Sequence, residues 1–485
     1  MKLSQITLSD CYIPPEWDRE IRHVRVDSRL IQQGDALLVR SIDAIESERF
    51  IADAIARGAV AVVAQGALGF ACGDGGVPIF SSPAVADHWQ SWLHRRYARV
   101  AQLSLIGVTG TNGKSSVTQY IAQLLMAMGH PCGLLGTLGN GLWPQLQATA
   151  NTTSDLAITL QQLDGMVGQA NWAALEVSSH GLQQQRIAGL AFKGAVFTNL
   201  SHDHLDYHQS MENYFAAKRR LFEEYAIEHA LINVDDEYGR ALAQSLPSEM
   251  SVLTYGCEAM ADVQIRDICW LGDRLQARIR SPWGDDLIQV PLLGDFNMSN
   301  AVAAMVALAQ QGMDWSALCI AAQQLQPVLG RMAFYRHADG RTAVIDFAHT
   351  PDALANALAA LPTLSPYVVF GCGGDRDRRK RPLMAAALDG IEQVWLTDDN
   401  PRFEDPESIW QDVLQHAPAA RFHRQHNRSL AIEEACAAMP ANGVVLIAGK
   451  GHEAYQDVAG QRHAYSDESV LLALGFVRGA QTHVA

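Results

Sequence analysis

Gly107, Gly113, Lys114 and Ser115 stand close to the spacing G-x-x-x-x-G-K-[ST], with five residues rather than four between the two glycines. That spacing wraps backbone N–H groups around a polyphosphate, brings a lysine ammonium to its terminal oxygens and sets a hydroxyl where a divalent cation binds. The chemistry needs a strand to aim the loop and a helix whose N-terminus adds positive dipole. Ser104–Val108 reads as that strand and Ser115–Met128 as the helix, beginning near Lys114. Gly110, Thr111, Asn112, Gly113, Lys114, Ser115 and Ser116 therefore form a candidate site for a nucleoside triphosphate.

Further polar groups interrupt apolar elements downstream. Glu176 ends the apolar strand Trp172–Val177, where an unpaired carboxylate is costly unless it meets a cation, so it is a candidate Mg²⁺ position. Asn151, Thr152 and Thr153 open NTTSD, which suits a helix N-cap or an oxygen-rich ligand. In VFTNLSHDHLDYH the cluster Asp203, His204, Asp206 and His208 reads as a polar active-site loop or a transition-metal site; it lacks the spacing and thiolates of common zinc motifs. Lys218, in the helical stretch Met211–Tyr225, reads by itself as a solvated charge. Asn297 and Asn300 share one face of the apolar helix Leu292–Leu308, as caps or as nucleotide contacts. Five basic residues lie between Arg376 and Arg381, either a salt-bridged surface or an anion site.

These groups need an α/β scaffold of several domains. At 485 residues the chain exceeds one core, and 48% hydrophobic with 18% charged residues describes an ordinary folded protein. Its net charge of -15 argues against general nucleic-acid binding. No basic start precedes an apolar segment and no run of about 18 apolar residues occurs, so neither export nor membrane spanning is expected and the cytoplasm is. The eight cysteines show no C-x-x-C pair and are expected as reduced, mostly buried thiols. Residues 1–98 read as a small α/β unit with strands at Ala36–Val39 and Ala59–Val63, a helical Phe50–Ala56, and possible ligand loops at Val26–Arg29 and Arg40–Glu48. Residues 99–330 carry the phosphate loop. From Arg331 onward four apolar strand runs each end in a polar loop, the signature of a doubly wound parallel sheet with function along one edge.

Taken together, GTNGKS, NTTSD, EVSSHGL, FTNLSHDHLDYH, GDFNMSN, GRM, DFAHTPD, GCGGDRDRRKRP, TDDNPR and GKGHE resemble the Mur ligase family over nearly the whole chain. The resemblance implies three α/β domains: a UDP-MurNAc-binding unit (1–98), a central P-loop ATPase-like domain (99–330) and a C-terminal Rossmann-like domain binding an amino acid (331–485). It implies ATP and Mg²⁺ as cofactors, with UDP-MurNAc-L-Ala-D-Glu and meso-diaminopimelate as small-molecule substrates. The D-Glu carboxylate would be activated as an acyl phosphate in peptidoglycan synthesis, by a monomer without nucleic-acid or membrane partners. Lys114, Glu176, His204 and Lys218 match the catalytic positions. Ser115, Glu176, His204 and Lys218, the last as a carbamate, match the metal positions.

Carried over in the same way, Asn297, Asn300, Arg331 and Asp346 would meet the nucleotide. Val26, Ser28, Asp43, Ala44 and Ile45 would meet the uridine end, although Glu46 and Ser47 stand where relatives usually carry an aspartate-glycine pair. Asn151, Thr152, Thr153, Ser178, Gln184 and Arg186 would hold the muramoyl-dipeptide. Arg376, Asp399, Asn400, Pro401, Arg402, Gly449 and Glu453 would hold the incoming amino acid, with Arg402 marking the diaminopimelate-adding form. Folylpolyglutamate synthetase, which shares the phosphate loop, and a nucleotide-binding regulator without ligase activity are the competing readings.

Overall fold

In the computed structural model, which describes residues 1–272, 274–361, 365–415 and 422–478, the chain forms two compact units. One comprises Met1–Leu105, Pro131–Ala173 and His180–Phe192; the other comprises Ile106–His130, Ala174–Ser179 and the chain from Lys193 onward.

The smaller unit contains a five-stranded sheet in the order Val24–Arg25, Ala36–Val39, Ala61–Gln65, Pro78–Ser82 and Gly69–Cys72. The first four strands run parallel and the last antiparallel. Ile31, Leu37, Val39, Ala54, Val62 and Ala64 join one side of this sheet to a helix. That helix, Ala44–Ala56, corrects the expected polar loop over Arg40–Glu48. Asp43 accepts from Glu46 N at 2.8 Å as its N-cap, so Ala44–Glu48 form the first turn. Asp155 caps the helix Leu156–Met166 through Ile158 N, so NTTSD does contain a cap, on its last residue.

The larger unit holds strands of two large sheets and a separate two-stranded one, Tyr455–Val458 with Gln461–Ala464. Neighbouring strands in the first include Ala191–Phe197 beside Ser104–Thr109, in parallel register, and Trp172–Glu176 next to the latter. The second has the order Phe422–Arg424, Gln393–Leu396, Tyr367–Phe370, Val444–Ala448, Thr342–Asp346, Ala333–Arg336 and Val477–Arg478. Its first five strands are parallel and its last two antiparallel. Alternating side chains enter two separate cores, Val344, Val368 and Leu446 on one face and Ile345, Val369 and Ile447 on the other, as helices on both faces require. All eight cysteines are free, and four rather than most of them are buried. No helix among the described residues is long and apolar enough to cross a membrane.

Candidate functional site

The strand Ser104–Thr109 is buried from Leu105 onward and ends at Gly110, whose φ is +151°. A Cβ on Gly110 would lie 1.9 Å from Thr198 Oγ1, and one on Gly113 would lie 2.6 Å from Asn300 Oδ1. Both positions therefore require glycine, and the loop is pressed against two side chains that hold its shape. Thr198 Oγ1 donates to Asn112 O at 2.6 Å, and Asn199 Oδ1 accepts from Asn112 N at 2.9 Å. The helix Lys114–Ala127 starts at Gly113, in left-handed backbone and with no side-chain cap. Its leading N–H groups are thus left for an anion.

Around this loop the charges are unevenly matched. Lys114 Nζ donates to Gly110 O at 2.8 Å and Thr111 O at 2.9 Å. Lys218 Nζ donates to the same Gly110 O at 2.7 Å and is 1% exposed. Burial, reinforced by the Lys114 charge, pushes Lys218 well below the usual lysine range, with Asp203 opposing. The solvated-charge reading of Lys218 is therefore overturned. Ser115 Oγ donates to Glu176 Oε2 at 3.0 Å, and both are buried. Hydroxyl and carboxylate thus converge as a hard cation would need. Among the described residues no three His, Cys, Asp or Glu side chains gather as a metal-holding group.

His204 has left-handed backbone, φ +55°, and its Nε2 lies 3.4 Å from Asp203 Oδ2. Asp203, expected only as one member of the polar loop, is a junction: Lys380 Nζ lies 3.1 Å from Oδ1 and His349 Nε2 lies 3.3 Å from Oδ2. Burial alone would raise its pKa, but Lys380, His349 and His204 together hold it well below the usual carboxylate range. His208 Nε2 lies 2.9 Å from Ser179 Oγ, within the core.

Next to the loop, Asn112, Ser115, Ser116, Asn300, Arg331 and Asp346 line a cavity that Phe296, Asp352 and Asn356 extend. It brings together much of the expected nucleotide set. Burial lowers Arg331 and raises Asp346, each opposed by the other's charge. Asn297 points elsewhere: its Nδ2 donates to Leu293 O and its Oδ1 accepts from Tyr120 OH. Neither asparagine is the helix cap, since Gly294 stands there.

A second constellation lies at the C-terminal ends of the parallel strands Tyr367–Phe370, Gln393–Leu396 and Val444–Ala448. Asn400 Nδ2 donates to Glu453 Oε2 at 2.8 Å. Lys450, which the expected set omits, donates from its buried Nζ to Asn400 Oδ1, Asp399 Oδ1 and Glu453 Oε2. Arg402 has φ +53° and donates from Nη1 to Gly374 O at 2.5 Å. Burial and then the Arg376 charge lower its pKa, with Asp399 and Glu453 opposing. A Cβ on Gly374 would lie 1.9 Å from the Pro401 carbonyl oxygen, and one on Gly449, φ +111°, would lie 3.1 Å from Asp399 Oδ2. The basic run is mostly structural: Arg381 pairs with Glu404 and Asp412, Arg378 with Asp412, and Lys380 with Asp203, leaving Arg376 and Arg379 outside these pairs.

In the smaller unit Val26, Ser28, Arg29, Arg40, Arg49 and Phe50 line a cavity of about 660 Å³. Three arginines suit an anionic ligand, although Asp27 and Asp53 also line the cavity and Asp27 already holds Arg29. Asp43, Ala44 and Ile45 are exposed and do not line it. The same unit gathers Thr153, Gln184 and Arg186, since Arg186 Nη1 donates to Thr153 O at 2.7 Å and Nη2 to Gln184 Oε1 at 2.7 Å. Thr152 Oγ1 lies 3.0 Å from Thr137 Oγ1, while Asn151 is exposed. Ser178 belongs to the larger unit.

Residues 108–308 match the model of the Mur ligase middle domain and residues 330–451 that of the Mur ligase glutamate ligase domain. A Vibrio cholerae protein named UDP-N-acetylmuramoyl-L-alanyl-D-glutamate--2,6-diaminopimelate ligase is 41% identical, over 94% of this chain and 94% of its own. A Neisseria meningitidis serogroup A protein of the same name is 40% identical, over 93% and 94%. A solved structure of a ligase of that name superposes with a TM-score of 0.66 at 37% identity, over 98% of each chain. Relatives of this identity, matched along nearly the full length, place the chain in the Mur ligase family.

Proposed function

We propose that the protein is an ATP-dependent amide-forming ligase that joins meso-diaminopimelate to the D-Glu carboxylate of UDP-MurNAc-L-Ala-D-Glu, yielding UDP-MurNAc-tripeptide, ADP and phosphate. The observation that carries this reading is that the phosphate loop with Ser115, Glu176 and Lys218, and the acceptor loops with Asp399, Asn400, Arg402 and Glu453, lie in one compact unit of a chain about 40% identical to ligases of that name. The three-part division at 1–98, 99–330 and 331–485 assigns one substrate to each part. The enzyme acts as a cytoplasmic monomer.

The residues support a two-step transfer. A D-Glu carboxylate oxygen takes the γ-phosphoryl group, leaving ADP; the amine nitrogen then attacks the acyl carbon, loses a proton, and phosphate departs. The Lys114 ammonium offsets charge on the transferred group, and the helix N-terminus holds the remaining phosphates. Mg²⁺, when bound, would neutralise phosphate charge, held by Ser115, Glu176, His204 and Lys218. For Lys218 to serve, its neutral amine must take up carbon dioxide and become a carbamate with two donor oxygens. Two observations fit: burial favours the neutral amine, and Gly110 O already accepts from Lys114. Arg402 would read the distal carboxylate of diaminopimelate through two parallel N–H bonds, with Asp399 or Glu453 for the ammonium.

Phosphate release tests the reading. It should require both UDP-MurNAc-dipeptide and diaminopimelate; release that ignores either substrate points to a hydrolase or a regulator, and a requirement for a folate in their place to the folylpolyglutamate branch.

A further inference from the structure

Lys450 is fully buried, yet the reaction as described does not use it. It follows Gly449 at the end of the strand Val444–Ala448 and spends its three N–H bonds on Asn400 Oδ1 at 3.0 Å, Asp399 Oδ1 at 3.3 Å and Glu453 Oε2 at 3.3 Å. Each carboxylate gives only one oxygen to this ammonium. Asp399 Oδ2 and Glu453 Oε1 take no part in these bonds. Asn400 is fixed from both ends of its amide: Oδ1 also accepts from Asp457 N at 2.9 Å, and Nδ2 donates to Glu453 Oε2. One cation therefore sets the rotamers of three acceptor-loop side chains and the spacing of the two loops that carry them.

We infer that Lys450 is a positioning and specificity-determining residue for the amine acceptor. It turns one oxygen of Asp399 and one of Glu453 away from itself and toward the incoming amino acid, and it offsets part of the charge of the buried Asp399 and the half-buried Glu453. Without it the two carboxylates would be met chiefly by the charge of Arg402, and the pocket would attract cationic amino acids with less discrimination. With it, one negative charge faces one ammonium, and the neighbouring Arg402 is left to demand a carboxylate. This inference rests on the diaminopimelate reading of the same loops.

The test compares wild type with Lys450→Met and with the double variant Lys450→Gln/Glu453→Gln, which deletes a cation and an anion and so leaves the buried net charge unchanged. KM and kcat are measured for diaminopimelate, L-lysine, ATP and the UDP-dipeptide, alongside thermal unfolding. In Lys450→Met, KM for diaminopimelate should rise about 10-fold or more while KM for ATP and for the UDP-dipeptide stays within about twofold, and the diaminopimelate-to-lysine preference should shrink about 10-fold. The double variant should recover part of the lost unfolding temperature but not the preference. An unchanged preference, or a fall in kcat with all three KM values unmoved, overturns the inference. So does failure of both variants to fold, which would assign Lys450 to the scaffold alone. Wild type that ligates neither amino acid sinks the underlying reading instead.

Discussion

Two lysines of the larger unit are buried to the same degree and live in opposite surroundings. Lys450 meets two carboxylates and an amide oxygen, one acceptor for each N–H. Lys218 meets one carbonyl oxygen, which it shares with Lys114, and the ring of Tyr214, and the largest charge effect on it comes from that second cation, with Asp203 opposing. An ion pair of the first kind is finished: breaking it strands a charge. A buried amine of the second kind escapes its desolvation cost by giving up its proton. Burial by itself therefore says little about a lysine's role. What separates structural support from latent chemistry is whether the negative partners are already present.

The largest expected effect lies on the unfinished side. Lys218→Ala should reduce kcat by about 10³-fold or more, the scale of losing a preorganised electrostatic group. Its stability should match or exceed that of wild type, because no ion pair is broken. Short-chain carboxylates should restore part of the activity by supplying the missing oxygens. Full metal binding with no rescue would remove the carbamate from the proposal, and a large drop in unfolding temperature would erase the contrast with Lys450.

The finished side is tested at Arg381, 1% exposed and clamped between Glu404 and Asp412. Arg381→Met should lower the unfolding free energy at pH 7 by about 3 to 5 kcal/mol, since two carboxylates lose a hydrogen-bonded partner. The pair also has a pH signature. The Arg381 hydrogen bonds, outweighing burial, hold Glu404 at about 2 instead of 4.5. A depressed carboxylate stabilises the fold above its unfolded pKa, and that contribution disappears as pH falls from about 4.5 toward 2. Urea unfolding at pH 6 and pH 3 should show a shallower acid loss in the variant. An equal loss in both proteins would mean that the clamp is not what keeps Glu404 ionised.

This distinction also marks how far the sequence could be read. Elements were legible where one signal ruled: Ser104–Thr109, Trp172–Glu176 and the parallel strands past Arg331 are apolar runs with polar ends, and they form within a residue or two of the expected bounds. The phosphate loop was legible because its glycines are forced by clashes that no other residue avoids. Partners across long separations were not. The run Arg376–Arg381 looks uniform in sequence, yet its members go to Asp203, Glu404 and Asp412, which only the fold brings near. Lys450 lay inside a recognised motif and was passed over, and Asp203 was read only as one member of a polar loop, since nothing local shows how many partners a side chain will meet. The turn at Ala44–Glu48 was misread because its polar composition suits both a loop and a capped first turn, and the Asp43 cap decides between them.

Arg402 stands between the two cases, and it gives the finest test. Its backbone is secured without its side chain: Arg402 N donates to Asp457 O at 2.9 Å and Arg402 O accepts from Ala459 N at 2.7 Å. The guanidinium hydrogen-bonds one carbonyl and has a cationic neighbour in Arg376; Asp399, Glu453 and Asp457 act on it only electrostatically, so, unlike Lys450, it holds no carboxylate in a hydrogen bond among the described residues. On the proposed reading diaminopimelate would supply that bond through its distal carboxylate, which L-lysine lacks. Arg402→Lys keeps the charge but loses the planar fork, so kcat/KM for diaminopimelate should fall about 10- to 100-fold, chiefly through KM. Activity with L-lysine should stay near its low wild-type level or rise, because no unpaired guanidinium remains to penalise it. The unfolding temperature should hardly move, since the replaced side chain leaves both backbone bonds in place. Equal kcat/KM for the two amino acids in the wild-type enzyme would show that Arg402 is already satisfied within the protein, and would move it to the side of Lys450.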